Sequence, residues 1–171
     1  MKKVVFLDID GVLQPDRNRN RFENNLVELK QTWGKINPDY LTLDQWDMGA
    51  TYFDWDLGTV DRLRKLLKLH DAKIVISSTW RTSKTLHQLR LLFNFYDLDV
   101  SVADGTIILD YSRGGRSAEI QQYLDTHPEI EKYVILDDHR GAFEGVFTDT
   151  FVYCPDVFNH ECFEKANKIL K

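Results

Sequence analysis

Residues 4–13 read VVFLDIDGVL, and this stretch decides the fold. Its first four residues are apolar, rich in β-formers and bounded by charge on both sides, which predicts a short buried strand rather than a helix. Asp8 and Asp10 follow this strand at once, and Gly11 would let the chain turn sharply away beneath a substrate. The stretch therefore predicts a buried strand with reactive groups at its carboxyl end.

Beyond this strand, strand-like and helical patterns alternate along the chain. Further strands are predicted at 73–76, 98–102, 133–136 and 151–153, with a turn at 104–105. Amphipathic helices are predicted at about 58–70, 82–96, 117–126 and 159–170. Helices between strands imply crossover connections, so the predicted fold class is α/β: a three-layer, Rossmann-like, mainly parallel sheet with helices on both faces.

Residues 14–57 lack a sustained period and are predicted to form a small cap or flap inserted into a single domain of residues 1–171. The segment holds three of the four tryptophans, which either stack on a base or pack the insertion together. It also holds Arg17, Arg19 and Arg21. On an extended flap these arginines would share one side and contact a second phosphate or a polynucleotide; a solvated loop is the alternative.

Composition and charge exclude several classes of protein. With 43% hydrophobic residues in 171, the chain can bury a substantial core, which argues against intrinsic disorder. The 22 basic and 27 acidic residues give a net charge of −5, which argues against broad binding to nucleic acid or to an anionic membrane. No stretch approaches 18 apolar residues, and Asp8 interrupts the first apolar run too early for a signal peptide, so we expect a cytoplasmic protein.

A second pair of acids, Asp137 and Asp138, follows the strand predicted at 133–136. In open parallel sheets the ligand crevice lies outside the carboxyl ends of the strands, so four carboxylates would converge there if the two strands are neighbours. Their mutual repulsion requires a hard cation with oxygen ligands, and Mg²⁺ fits best. Beside such a metal, Asp8 could attack phosphorus as a nucleophile while Asp10 handles protons.

Two further groups would hold a phosphoryl group at this site. Ser77, Ser78 and Thr79 end the second strand, where their hydroxyls could donate to a phosphoryl oxygen. Arg113 and Arg116 flank a Gly-Gly pair ahead of a helix, where a guanidinium could neutralise Asp8 and clamp the phosphate.

At this point the sequence resembles the haloacid dehalogenase-like (HAD) hydrolase superfamily. The segments that carry the resemblance are FLDIDGVL at 6–13, KIVISSTWR at 73–81 and ILDDH at 135–139. The resemblance implies that Asp8 forms an aspartyl-phosphate and that Asp10 is the general acid and base, with its main-chain carbonyl on the metal. It further implies that Asp137 and Asp138 hold Mg²⁺ directly or through water.

The sequence departs from the superfamily pattern at the third motif, which usually supplies a lysine. No lysine lies between Lys84 and Lys132. The role therefore falls to Arg116, with Arg113 or Lys84 as alternatives. Ser78 matches the pattern of the hydroxyl motif, and Ser77 stays open as its alternative.

The SSTWR ending and the segment 115–138 look most like a small subfamily that occurs alone or fused in multidomain RNA-repair proteins. The resulting hypothesis is a Mg²⁺-dependent phosphatase that hydrolyses a small phosphomonoester through an aspartyl-phosphate. Two alternatives are a phosphatase acting on RNA or DNA ends and a non-catalytic module that binds a phosphorylated ligand.

Overall fold

The computed structural model describes residues 2–109 and 115–171, and five strands in these ranges form one parallel sheet. The strands are β1 (Lys3–Leu7), β2 (Lys73–Ile76), β3 (Val102–Gly105), β4 (Lys132–Asp137) and β5 (Phe151–Tyr153). Their order is β3-β2-β1-β4-β5, so β1 is central and pairs in parallel with both β2 and β4. The predicted parallel sheet is confirmed, and so is the adjacency of the two strands that precede the acidic pairs.

The described ranges contain six α-helices, which cover both faces of the sheet. They are α1 (Leu26–Ile36), α2 (Gln45–Gly49), α3 (Leu57–His70), α4 (Leu86–Phe93), α5 (Gly115–Thr126) and α6 (His160–Leu170). Alternate residues of each strand point to opposite faces, so Leu7 packs with α3, α4 and α6 while Phe6 packs with α5. None of these helices is long and apolar enough to cross a bilayer.

The bounds predicted for the helix at 82–96 are wrong at both ends. Its start is delayed because residues 79–82 form a 3-10 turn, and α4 begins only after Thr85, which forms a capping box with Gln88. At its other end the helix tightens into a 3-10 turn over 94–96, and Asp97 adopts a left-handed conformation with φ 55°. A side-chain cap therefore sets the start of α4, whereas the backbone conformation of Asp97 ends the helical run.

The third strand also lies later than the sequence predicts. Residues 99–101 form a 3-10 turn, and β3 runs over Val102–Gly105, including the Asp-Gly pair predicted as a turn. Asp104 and Gly105 pair with Val75 and Ile76 of β2, after a register irregularity. Because β3 is an edge strand and only Val102 in it is fully buried, it accommodates the polar residues that signalled a turn.

The segment 14–57 forms several short helices, which its lack of a sustained period did not predict. It contains α1, α2, short 3-10 turns and a π-helical turn at 50–54, and it has an apolar cluster of its own, in which Leu29, Tyr40 and Met48 pack against Leu91 and Leu92 of α4. The two ends of the segment meet, since the backbone N–H of Asp56 donates to the carbonyl of Leu13 over 2.9 Å. The segment therefore leaves the rest of the domain and rejoins it at a single point.

Candidate active site

Three polar side chains lie at the carboxyl ends of the three central strands. Asp8, Ser77 and Asp137 occupy equivalent positions, because the backbone N–H groups of Asp8 and Ser77 extend the sheet bonding to Leu136 and Leu7, each over 3.0 Å. The residues two positions earlier in the strands are Phe6, Val75 and Ile135, and their side chains pack with α5. Strand alternation therefore directs all three side chains to the α5 face, where each is buried.

Asp8, Asp137 and Asp138 form a cluster of carboxylates. Each offers one oxygen, and these oxygens lie within 4.8 Å of one another. Asp8 and Asp137 are buried, whereas Asp138 is exposed. An all-oxygen set of this size is what Mg²⁺ binds in proteins, and like charges at such distances call for a cation, so these residues fit the metal.

Gly11 makes the close approach of Asp138 possible. The glycine has φ +72°, and a Cβ atom at this position would lie 2.2 Å from Asp138 Oδ2. Both the backbone conformation and the contact therefore exclude a side chain here. Gly11 thus shapes the acidic cluster from the loop that follows Asp8.

Arg116 lies in the first turn of α5 and bridges two of the three acids. Its Nη1 donates to Asp8 Oδ2 over 2.8 Å and to Asp137 Oδ2 over 2.5 Å. Burial opposes the charged guanidinium, but the two carboxylates outweigh it and raise the pKa of Arg116 above its ordinary value. The structure thus brings Arg116 to the position that the sequence analysis favours for the third-motif cation.

Of the two alternatives for that cation, Lys84 makes its contacts elsewhere. Lys84 pairs with Asp47 over 3.0 Å, and its Nζ lies 4.7 Å from the centre of the Trp80 ring. Arg113 lies outside the described residues.

Asp137 and Asp138 have raised pKa values. Burial, followed by the charge of Asp8, raises the pKa of Asp137 to about 6, although Arg116 partly opposes the shift. Burial and the charge of Asp8 also raise the pKa of Asp138. These shifts express the cost of burying carboxylates and of bringing negative charges together.

Asp10 faces a different environment from the three clustered acids. Its Oδ2 accepts a 2.9 Å hydrogen bond from the indole N–H of Trp80. Burial raises the pKa of Asp10, whereas the bond from Trp80 lowers it. A carboxyl group with a raised pKa beside Asp8 is suited to donate a proton and later to accept one.

The hydroxyls after β2 occupy three different environments. Ser77 Oγ is buried and has no hydrogen-bond partner among the described residues. Ser78 Oγ caps the 3-10 turn by accepting from the backbone N–H of Trp80 over 3.4 Å. Thr79 is exposed and lines a cavity of about 500 Å³ that Arg116 also lines.

Two residues that the sequence analysis did not assign to the site support it. Trp80 orients Asp10, and Arg81 donates to the carbonyls of Ser77 over 2.7 Å and Ser78 over 2.5 Å. Arg81 also forms a buried ion pair with Glu119 of α5. The only sequence signal for both residues is their place directly after the SST hydroxyls.

The arginines and tryptophans of the segment 14–57 do not act as one group. Arg17 pairs with Asp156, and Arg21 pairs with the buried Asp54 over 3.1 Å, so the three arginines do not line one side of an extended flap. Trp55 is buried in the main core, and Trp33 packs against the ring of Tyr40. Trp46, by contrast, is half exposed.

Trp46 belongs to a cleft of about 390 Å³ that opens beside Asp10. The residues that line the cleft are Asp10, Gln14, Arg21, Phe22, Trp46, Asp47, Ala50 and Trp80. Most of them come from the segment 14–57. The cleft is therefore a space next to Asp10 into which part of a ligand could extend.

Comparison with known proteins gives one match. The family model described as "HAD domain in Swiss Army Knife RNA repair proteins" matches residues 4–157. No curated protein and no solved structure matches the chain. The matched range includes β1 to β5, the acidic cluster, Arg116 and the whole segment 14–57.

Proposed function

The chain belongs to the family of HAD domains found in Swiss Army Knife RNA repair proteins, and we propose that it is a Mg²⁺-dependent phosphatase that hydrolyses a phosphomonoester through an aspartyl-phosphate. The observation that carries the proposal is the environment of Asp8. This buried carboxylate ends the central strand, contacts Arg116 and lies beside two further acids. Such a constellation serves phosphoryl transfer, where positioning and charge stabilisation supply most of the catalysis.

Mg²⁺ would be held by Asp8, Asp137 and Asp138, with the main-chain carbonyl of Asp10 as the further ligand that the family resemblance implies. Their close oxygens and the raised pKa values of Asp137 and Asp138 support this assignment. The ion would neutralise negative charge on the carboxylates and the phosphoryl group.

Asp8 is the proposed nucleophile. The backbone N–H of Ile9 donates to its Oδ1 over 2.9 Å, and Arg116 donates to its Oδ2, so the carboxylate is held in one orientation. An Asp8 oxygen bonds to phosphorus, the ester P–O bond breaks, and Asp10 gives its proton to the leaving oxygen. Asp10 then takes a proton from a water molecule that attacks the aspartyl-phosphate and releases phosphate.

Ser77, Thr79, Gly11 and Arg116 are the proposed contacts to the transferred group. Of the two serines, we assign the donor role to Ser77, because its hydroxyl lies on the face of Asp8 and lacks another partner among the described residues. Ser78 lies one residue beyond the position equivalent to Asp8, and its Oγ accepts the capping bond from the backbone N–H of Trp80. The alternative role of Arg113 remains a prediction.

The test combines turnover with capture of the intermediate. The wild-type protein with Mg²⁺ should release phosphate from a phosphomonoester panel, and Asp8→Asn should abolish this release while keeping the circular dichroism spectrum. With an activated substrate such as 4-nitrophenyl phosphate, whose leaving group needs no acid, Asp10→Asn should accumulate a protein species heavier by one phosphoryl group. Equal turnover by Asp8→Asn would contradict the nucleophile assignment.

Two alternatives remain distinct from this proposal. The same chemistry at a phosphorylated RNA or DNA end is supported by the family description, and faster release from phosphorylated oligonucleotides than from mononucleotides would favour it. A non-catalytic module would bind inorganic phosphate yet release none from the whole panel.

A further inference from the structure

We propose that the cleft beside Asp10 binds the nucleoside that carries the scissile phosphate, with its base against Phe22 and Trp46. This inference rests on the proposed phosphatase function, because it assigns the leaving group of that reaction. Asp10 is the group that would protonate the leaving oxygen, and it lines the cleft. The part of the substrate attached to that oxygen must therefore occupy the adjacent space.

The walls of the cleft favour a flat aromatic group. Phe22 and Trp46 are 61% and 49% exposed, and their ring centres lie 5.7 Å apart. Large aromatic side chains are seldom left this exposed side by side without a ligand or partner. Trp80 supplies a third ring, one face of which Lys84 covers at 4.7 Å. The exposed faces of Phe22 and Trp46 are thus the surfaces on which a base could stack.

The cleft also has an unused hydrogen-bond acceptor. Gln14 is 6% exposed, and its side-chain oxygen has no hydrogen-bond partner among the described residues. A buried polar atom without a partner is costly, so a ligand hydroxyl or amino group would stabilise it. A nucleoside offers such donors together with a flat ring, whereas a simple aromatic phosphate offers the ring alone.

The charges of the cleft limit the ligand to about one nucleoside. Arg21, which lines the cleft, pairs with Asp54 over 3.1 Å, and Lys84, which covers the Trp80 ring, pairs with Asp47 over 3.0 Å. Compensated cations add little attraction for the phosphates of a long strand. The volume of about 390 Å³ also lies at the low end of small-molecule sites, which span roughly 300–1,000 Å³.

The decisive experiment compares substrates that differ in the base, in the position of the phosphate or in chain length. Phosphate release is measured for ribose 5-phosphate, adenosine 5′- and 3′-monophosphate, and an oligonucleotide phosphorylated at each end in turn. We expect at least one adenosine substrate to exceed ribose 5-phosphate in kcat/KM by about tenfold or more. Trp46→Ala or Phe22→Ala should reduce this ratio towards one, whereas Trp46→Phe should retain most of it.

A matched control uses another exposed apolar residue of the same segment. Ile36 is 69% exposed at the end of α1 and does not line the cleft, so Ile36→Ala should leave the substrate ratio unchanged. Equal kcat/KM with and without the base in the wild type would overturn the inference. A ratio that survives Trp46→Ala and Phe22→Ala would overturn it as well.

A binding measurement separates this inference from the proposed function. Adenosine, which carries no phosphate, is titrated into the Mg²⁺-loaded protein while tryptophan fluorescence is recorded. A saturable change that is lost in Trp46→Phe supports the cleft even if no substrate is hydrolysed. Absence of a saturable change in the wild type would reject the nucleoside site while leaving the phosphatase assignment to its own test.

Similar kcat/KM for the nucleotide and the oligonucleotide with the same end supports a one-nucleoside site, and a large oligonucleotide preference would contradict it.

Discussion

The indole N–H of Trp80 donates a 2.9 Å hydrogen bond to Asp10 Oδ2, across 70 positions of sequence. This bond lowers the pKa of Asp10 against the stronger upward effect of burial. Trp80→Phe removes the donor, so the pKa of Asp10 should rise. Because Asp10 must be protonated to act as an acid, the descending limb of the pH profile of kcat should move to higher pH. A limb that stays in place or moves to lower pH would contradict the role of this bond.

The raised pKa of Asp137 predicts how the free energy of unfolding of the metal-free protein depends on pH. Its folded pKa of about 6 lies above its ordinary value of 3.8, so the folded state binds more protons between these values. The associated stability is therefore fully present below about pH 4 and is lost as the pH rises through about 6, an effect of about 3 kcal/mol. Denaturant unfolding at pH 4 and pH 8 measures it. Asp137→Asn should flatten the dependence, and Mg²⁺ should stabilise the wild type most at pH 8.

Gly11 and Gly145 form a matched pair for testing the approach of Asp138. Both have positive φ, +72° and +74°, but a Cβ at Gly11 would contact Asp138, whereas a Cβ at Gly145 would meet nothing within 4 Å. Each change to Ala should cost about 1 kcal/mol of backbone strain. Only Gly11→Ala should also raise the Mg²⁺ concentration that gives half-maximal activity. An equal Mg²⁺ requirement in both variants would contradict the argument.

The buried pair of Arg81 and Glu119 should contribute strongly to stability. Both side chains are 7% exposed, and removal of one partner from a buried pair costs about 3–5 kcal/mol. Glu119→Ala should therefore lower the free energy of unfolding by roughly this amount. It should also lower kcat, because Arg81 holds the carbonyls of Ser77 and Ser78. Glu131→Ala, which breaks the exposed pair with Lys2, should cost less than about 1 kcal/mol.

Ser77 and Ser78 should respond in opposite ways to replacement by alanine. Ser77→Ala removes a buried hydroxyl without a partner, so stability should hold or rise, while kcat/KM should fall by roughly a hundredfold through loss of a donor. Ser78→Ala removes a cap and should cost up to about 1 kcal/mol of stability, with the smaller loss of activity. A larger loss of activity in Ser78→Ala would reverse the assignment. Phosphate-release kinetics and thermal unfolding measure both effects.

The sheet was predictable because its evidence is local. VVFL, KIVI and YVIL are short apolar runs between polar residues, and β1, β2 and β4 extend them by at most one residue at either end. Asp8, Ser77 and Asp137 each follow such a run by one position, so a parallel in-register sheet directs them to one face. This equal offset is present in the sequence and favours Ser77 as the hydroxyl next to Asp8.

The supporting contacts were not predictable because they join distant parts of the chain. Trp80 reaches Asp10, and Arg81 reaches Glu119 over 38 positions, and no periodicity encodes such pairs. The segment 14–57 contains helices that the sequence did not predict, for a related reason. Its helices are short and bury few residues each, as α1 buries only Leu26 and Leu29, so no long amphipathic pattern identifies them. Their stability comes from packing on α4.

The backbone bond between Leu13 and Asp56 closes the segment 14–57 at its base. A segment that departs and returns at one point can be shortened, lengthened or exchanged as a cassette without changing the order of the strands. Recombination between relatives could thus exchange this segment while the residues at the carboxyl ends of the strands stay unchanged. Deletion of the segment by joining the chain across this hydrogen bond would expose Leu91 and Leu92. These two residues would then need to be replaced with polar ones.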